Sequence, residues 1–183
     1  MPLRAQQLLV AGHGFVWNAS AGWGPLFVTV VDHYLDGESR MRVKLFGLIP
    51  VLSASDDDIA KSAMGRLFIE AFAIPSSMLP RDGVRIDGLD DNRFSVTFDH
   101  VGERDGLTLT VDPAGRLQSI KLQRWGNITL AGSYQYIPYG ATVSNDQTFA
   151  GYTIPTEASV GWWYGTPDYL EVVRLEVKSA TLN

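Results

Sequence analysis

A single stretch of helical periodicity, from about Asp56 to Ala73, constrains this chain more than any other feature. Ser55 is the predicted N-cap, the aspartates after it lie at the positive end of the helix dipole, and Pro75 predicts the stop. All other segments have β patterns, so the apolar face of this helix is expected to pack on a sheet. Its residues recur at steps of three and four: Ile59, Ala60, Ala63, Met64, Leu67, Phe68, Ala71 and Phe72.

The remaining chain predicts about ten antiparallel strands separated by turn residues such as Asp36-Gly37. Around position 96, apolar and polar residues alternate with a period of two, which is typical of a sheet with one buried face. So many strands in one domain must curl, split or close. We expect a mainly β (α+β) fold: a curved antiparallel sheet of about ten strands that forms a half-barrel around one principal helix. A closed barrel and a sandwich are alternatives. The predicted strands are 15–20, 26–35, 39–52, 84–88, 93–101, 107–111, 117–125, 129–137, 148–163 and 169–177.

Composition sets limits on the class of protein. The 183 residues fit one domain, 1–183, long enough to bury a core without disulfides. The chain has no cysteine, which excludes a disulfide framework, a thiolate nucleophile and a cysteine zinc site. Net charge is -5 and the 15 lysines and arginines are scattered along the sequence, so nucleic acid is not an expected partner.

The N-terminal segment bears on localisation. The short apolar run Leu8-Leu9-Val10-Ala11 falls below the length of a signal-peptide core, and no window approaches the ~20 apolar residues of a membrane-spanning helix. The chain as written is therefore predicted to be cytoplasmic and without a membrane span. The alternative is an anchor or export signal upstream of the given sequence.

Arg66 and Glu70 lie one turn apart on the flank of the predicted helix. A surface ion pair of small energetic value is the simpler interpretation. Glu70, however, lies between Ile69 and Ala71 in a mostly apolar turn, so burial would make it a candidate general acid or base, or a polar contact for a ligand.

Aromatic residues are concentrated in the last third of the chain, most densely at Trp162-Trp163-Tyr164. Neighbouring residues of a strand face opposite sides, so Trp162 and Trp163 cannot both fill one core. One of them is expected to meet solvent, a ligand or a partner, since Trp and Tyr combine an apolar body with a polar group.

Metal and cofactor motifs are not found in the sequence. The three histidines, His13, His33 and His100, are far apart and lack the spacing of a metal site. Asp56-Asp57-Asp58 lacks the alternating ligands of a calcium loop, and neither a nucleophile elbow nor a phosphate-binding glycine motif occurs. We therefore predict no metal and no cofactor.

The order of several short segments resembles a bacterial family of uncharacterised function. The match runs through nearly the whole chain: Phe46-Gly47-Leu48-Ile49-Pro50-Val51, Gly65-Arg66-Leu67 to Glu70, Pro75-Ser76-Ser77-Met78-Leu79-Pro80, Gly83-Val84-Arg85, Asp112-Pro113-Ala114-Gly115-Arg116-Leu117, Tyr152-Thr153-Ile154-Pro155-Thr156 and Gly161-Trp162-Trp163.

This resemblance implies a fold similar to the lipoprotein-carrier (LolA-like) half-barrel, a curved antiparallel sheet with helical segments in its concavity. Members of that wider superfamily carry lipoproteins or lipids outside the cytoplasm, and one relative in pigment biosynthesis is an enzyme. The resemblance brings no established catalytic or binding residues. Fold analogy alone does not choose between these activities.

The leading hypothesis is binding of a hydrophobic or amphipathic, lipid-like small molecule between the helix and the concave face of the sheet. One alternative is a small-molecule enzyme that uses the same cavity, with Glu70 as acid or base. Another is a structural module whose exposed aromatics form a homodimer interface. The predicted ligand contacts are Trp17, Met64, Arg66, Leu67, Phe68, Glu70, Phe72, Trp125, Tyr139 and Trp163.

Overall fold

The computed structural model describes residues 2–99, 106–129 and 131–182. Within them the chain is mainly β, with twelve strands, one α-helix and two short 3₁₀ segments, Glu70–Ala73 and Pro75–Met78. The helix is α1 (Asp57–Ile69). The strands are β1 (Leu3–Val10), β2 (Gly14–Trp23), β3 (Leu26–Leu35), β4 (Glu38–Leu45), β5 (Ile49–Ala54), β6 (Val84–Gly88), β7 (Arg93–Phe98), β8 (Leu107–Val111), β9 (Leu117–Gly126), β10 (Gln135–Phe149), β11 (Tyr152–Trp162) and β12 (Leu170–Glu176).

The strands form two antiparallel sheets rather than the expected single sheet of about ten strands. Sheet 1 has five strands in the order β1-β2-β3-β4-β5, and sheet 2 has seven in the order β12-β11-β10-β9-β8-β7-β6. Each sheet is a meander in which every strand pairs with its neighbour in sequence, so the helical segment between β5 and β6 separates two independent ladders.

The chain divides into two compact units, which are described separately. Unit 1 is Met1–Leu67 and contains sheet 1 with most of α1; unit 2 is Phe68–Asn183 and contains sheet 2. The prediction of a single domain over 1–183 stays a prediction.

The core of unit 1 lies between sheet 1 and α1. Phe15 and Tyr34 of the sheet are buried together with Ala63 and Leu67 of the helix. Along β2 the burial alternates, as expected for a sheet with one covered face. At the edge of the sheet, β5 contains Pro50 and pairs with β4 through a register shift between Val43 and Lys44.

The core of unit 2 covers one face of sheet 2. Val96, Ile120 and Ile137 are completely buried at its centre, and Phe68 and Phe72 from the start of the unit pack against the same cluster. The buried Val96 and the half-buried Phe94 and Phe98 lie on the core side of β7, as their alternation predicts.

The helix is shorter than predicted. It ends at Ile69, and residues 70–73, which were expected to continue it, form a 3₁₀ turn before Pro75. Asp56, not Ser55, caps the N-terminus, since its Oδ1 accepts a hydrogen bond from the Ile59 N–H at 2.9 Å. A proline disfavours helical conformation in the preceding residue, and Ile74 is accordingly non-helical, with φ −128° and ψ 76°.

Four strand predictions need correction. The predicted strand 148–163 crosses the turn at Ala150-Gly151, so that Thr148 and Phe149 end β10 and β11 begins at Tyr152. β1 was not predicted because its sequence mixes polar and apolar residues, and most of its side chains are exposed. The predicted strand 39–52 is two strands, because Phe46 and Gly47 both have positive φ and form a turn inside the apolar run. The predicted strand 129–137 begins only at Gln135 and continues to Phe149, through a proline and a glycine that normally indicate a turn. Residues 100, 101 and 130 of the predicted strands lie outside the described residues.

Candidate functional site

The most distinctive polar contact of unit 1 joins α1 to β3. The Arg66 guanidinium donates from Nη1 to Oδ2 of Asp32 at 2.7 Å, and both side chains are largely buried. A buried carboxylate needs a partner of this kind, because its desolvation costs several kcal/mol. Arg66 also donates from Nη2 to Oε1 of the exposed Gln7 at 3.3 Å. The guanidinium therefore extends from a buried anion to the surface.

Two aromatic rings support the same guanidinium. Its central carbon lies 4.5 Å from the centroid of Phe15 and 5.0 Å from that of Trp17. Cation–π attraction at such distances adds to the ion pair, and it is stronger in a desolvated site than in water. The hydrogen bonds at the edges of the Arg66 guanidinium and the two rings against its plane thus hold it in one orientation.

Strand register explains how these residues meet. Gln7 of β1 pairs with Trp17 of β2, and Trp17 pairs with Asp32 of β3. Directly paired residues of an antiparallel sheet project from the same face, so the three side chains form a row across sheet 1. Arg66 lies over this row.

Apolar side chains surround the row. Tyr34 stacks on Phe15 with 6.4 Å between the ring centroids, and burial raises the pKa of Tyr34. Leu9, Trp17 and Met64 are only half-buried and pack against the buried cluster. The candidate site of unit 1 therefore combines a fixed cation, a neutralising carboxylate and a partly accessible apolar wall.

A second arginine–aromatic contact occurs in unit 2. The Arg124 guanidinium carbon lies 4.5 Å from the ring centroid of Tyr139 and 5.0 Å from that of Trp162. The two rings are themselves 4.7 Å apart, and both residues are buried. Gly126 makes room for Trp162, because a Cβ at this glycine would lie 2.6 Å from Cζ3 of the indole.

Trp162 and Trp163 both contribute to the core of unit 2, contrary to the prediction that they cannot fill one core, because β11 ends at Trp162 and Trp163 lies beyond the strand. Trp162 is buried in the core of unit 2, whereas Trp163 adopts a positive φ of 58° and is only half-buried beside it. Its indole N–H donates to the carbonyl of Ile128 at 3.0 Å, and the hydroxyl of Thr166 donates to the Trp163 carbonyl at 2.7 Å. These bonds hold a bulky residue in a conformation that L-residues rarely adopt.

Trp125 lies on the other face of sheet 2 from Tyr139. It pairs with Tyr136, whose ring centroid is 5.0 Å away, and it also stacks with Tyr134 at 6.2 Å. Tyr139 instead pairs with Leu122 on the core face. A ligand in contact with one face would therefore not reach both side chains.

The structure divides the predicted contact residues between the two units. Trp17, Met64, Arg66 and Leu67 come together in unit 1. In unit 2, Phe68, Phe72, Tyr139 and Trp163 belong to one core or pack against it. Glu70 is half-buried at the start of the 3₁₀ turn. The catalytic role of Glu70 and its pairing with Arg66 stay predictions. The formation of a homodimer also stays a prediction.

Sequence reasoning missed Asp32, Phe15, Gln7 and Arg124. Asp32 carried a detectable signal, because a carboxylate inside the valine-rich segment Val28–His33 requires a partner if that strand is buried. The partner itself, Arg66, lies 34 positions away and follows only from the register of the folded sheet. Gln7 and Arg124 carried no comparable signal.

Among the described residues, no group of three or more His, Asp or Glu side chains could hold a metal ion. His13 lies 3.1 Å from Asp36 at the surface, and His100 falls outside the described residues. No helix in the described part of the chain is long and apolar enough to cross a membrane.

A family model described as a family of unknown function (DUF6544) matches residues 1–174. The comparisons with curated proteins and with solved structures gave no match.

Proposed function

We propose a binding function for this chain, which belongs to the family of unknown function DUF6544 and so takes no activity from its family name. The protein binds a hydrophobic or amphipathic, lipid-like small molecule at the Arg66 site of unit 1. One observation carries the proposal: the guanidinium is held on two aromatic rings between a buried carboxylate and an exposed amide.

The polar end of the ligand takes the place of Gln7. The Gln7–Arg66 hydrogen bond is long, at 3.3 Å, and exposed, so water or a ligand oxygen can replace it at small cost. Asp32 and the rings keep the guanidinium in place during this exchange. Because Arg66 is already ordered, a carboxylate or phosphate oxygen gains a charge-assisted hydrogen bond without the entropy of fixing a free arginine.

The apolar end of the ligand lies against Leu9, Trp17 and Met64. These side chains are half-buried, so a ligand that covers them removes further apolar surface from water. Met adapts its shape to irregular ligands, and Trp provides a broad flat wall. This combination suits an acyl chain or a fused apolar ring system better than a sugar or a nucleotide.

We propose in addition that the fold is similar to the LolA-like half-barrel and that the protein is cytoplasmic. Antiparallel strands and an amphipathic helix support the architecture, although the strands form two sheets, and the order of sequence segments suggests the class of ligand. The predicted contacts Phe68, Glu70, Phe72, Trp125, Tyr139 and Trp163 belong to unit 2 and are not part of the Arg66 site that we propose.

The test uses protein purified without detergent. Native mass spectrometry before and after organic extraction identifies a co-purified small molecule, and titration with oleate measures affinity for a fatty-acid carboxylate. We expect Trp17→Ala to weaken oleate binding about tenfold, since it removes most of the apolar wall. Trp23→Ala, on the same strand but outside the site, is the matched control. Equal affinity of wild type and Trp17→Ala, or a ligand that contacts only unit 2, would refute this site.

A further inference from the structure

Two neighbouring turns of sheet 1 expose large apolar side chains. We call residues 23–26, between β2 and β3, and 46–49, between β4 and β5, the apolar tips. Trp23 is 66% exposed, Leu26 67% and Leu48 79%, although such residues are usually buried. The second tip contacts the residue that follows the first: the Phe46 N–H donates to the Phe27 carbonyl at 2.9 Å, and the two rings meet edge to face.

A basic face adjoins the tips. Arg40, Arg42 and Lys44 alternate along β4 and are exposed on the side of sheet 1 opposite to Asp32. Lys44 pairs with Thr29, which pairs with Ser20, which pairs with Arg4, so this row near the tips carries one cation on β4 and another on the edge strand β1. Among the described residues of this row and the next two, no position carries a carboxylate.

The carboxylates of unit 1 lie elsewhere. Asp36 lies in the turn between β3 and β4, and Glu38 begins β4, both at the opposite end of the sheet from the tips. Asp32 projects from the other face and pairs with Arg66. The aspartates 56–58 follow β5, which begins at the tips and leads away from them. Charge in unit 1 is therefore polarised, although the chain as a whole has a net charge of -5.

We infer that the apolar tips insert into an anionic lipid bilayer surface while the basic face lies next to the headgroups. This interaction goes beyond the proposed ligand binding and does not depend on it. Trp and Leu are suited to the boundary between headgroups and acyl chains. Each lysine or arginine near such a surface strengthens binding about fivefold, and the effect fades beyond a Debye length of about 8 Å at physiological salt.

Charge complementarity favours a bilayer over a second copy of the chain. A copy docked tip to tip would bring two basic faces together, and like charges oppose such a contact. An anionic bilayer offers both an apolar interior for the tips and negative charge for Arg42 and Lys44. The apolar tips and the basic face can contact these two regions of the bilayer without a change in their arrangement.

Flotation with lipid vesicles tests the inference on the full chain. Wild type is expected to float with phosphatidylcholine vesicles that contain about 30% phosphatidylglycerol, and to bind pure phosphatidylcholine at least tenfold more weakly. Trp23→Ser/Leu48→Ser should weaken binding at least tenfold, and Arg42→Glu/Lys44→Glu should remove its dependence on salt and on anionic lipid. Arg85→Glu/Lys121→Glu makes the same charge change in unit 2 and should leave vesicle binding unchanged.

Depth of insertion can be measured directly because the chain has no cysteine. A polarity-sensitive dye on Leu48→Cys should shift to shorter wavelength with anionic vesicles. The same dye on Glu38→Cys, at the opposite end of sheet 1, should not shift. Equal shifts at both positions would overturn the orientation that we infer.

Two further outcomes would overturn the inference. Wild type that fails to float, or tip variants that float as well as wild type, would exclude insertion. A concentration-dependent dimer that is lost in Trp23→Ser/Leu48→Ser, without vesicle binding, would assign the tips to a second copy. Oleate binding separates this proposal from the first, because tip variants should keep their oleate affinity whichever way the vesicle experiment turns out.

Discussion

Asp32 and Arg66 stand 34 positions apart in sequence, yet their side chains meet at 2.7 Å inside unit 1. The ion pair connects the central strand of sheet 1 to the helix. Because one member is almost fully buried, loss of the other leaves an uncompensated charge.

Arg66→Met should therefore lower the free energy of unfolding by about 3–5 kcal/mol. The double variant Asp32→Val/Arg66→Met should recover most of that loss, since it removes the buried charge as well as its partner. Urea titration followed by tryptophan fluorescence measures both. Arg174→Met, which breaks the exposed pair with Glu171, should leave the midpoint almost unchanged. Additive losses for the two changes would contradict the ion-pair account.

The N-cap offers a second test. Asp56→Ala should lower the free energy of unfolding by about 1 kcal/mol, because the Ile59 N–H loses its hydrogen-bond acceptor. Ser55→Ala removes the neighbouring hydroxyl and should cost only a few tenths of a kcal/mol. Thermal unfolding of the two variants side by side distinguishes the caps. A larger effect at Ser55 would restore the cap that the sequence suggested.

Gly126 tests the packing of unit 2. Gly126→Ala should destabilise the protein by about 1–3 kcal/mol, because its methyl group overlaps the Trp162 ring. Trp162→Phe in the same chain should reduce that cost, which makes the two changes non-additive. Gly88→Ala is the matched control, since Gly88 also lies in a strand but a Cβ there meets open space. Independent costs for Gly126 and Trp162 in chemical unfolding would disprove the overlap.

The raised pKa of Tyr34 predicts that the protein loses stability in alkali. Burial, and to a smaller extent the charge of Asp36, raise its pKa above the ordinary value of 10.0, although a hydrogen bond with the Gly37 backbone lowers it. As pH rises, the unfolded chain releases this proton first. The stability that Tyr34 contributes is therefore complete below about pH 10 and is lost as pH rises through the folded-state pKa. Melting temperatures should fall less steeply over this range in Tyr34→Phe than in wild type; parallel curves would argue against the shift.

Local patterns predicted much of the fold. The apolar stripe of α1 and the alternation in β7 reflect contacts within a few residues, so a sequence is sufficient to read them. The turn at Phe46-Gly47 was hidden in an apolar run, because an aromatic residue rarely adopts positive φ. The long strand β10 was hidden for the opposite reason, since Pro138 and Gly140 resemble a turn.

The candidate site was less predictable because its contacts are long-range. Arg66 and Trp17 were identified by residue type, but their meeting depends on the register that aligns Gln7, Trp17 and Asp32. A shift of one residue in any of these strands would send the aligned side chain to the other face. The division of the predicted contacts between two units likewise follows from non-local packing.

Strand β5 has a consequence for the behaviour of this protein in concentrated solution. An apolar strand at the edge of a sheet can recruit a matching strand from another molecule and seed amyloid. Pro50 lacks the N–H that such a ladder requires, and the register shift beside Lys44 interrupts the regular repeat. The apolar edge strand can therefore be exposed to water, while Pro50 and the register shift oppose the growth of fibrils.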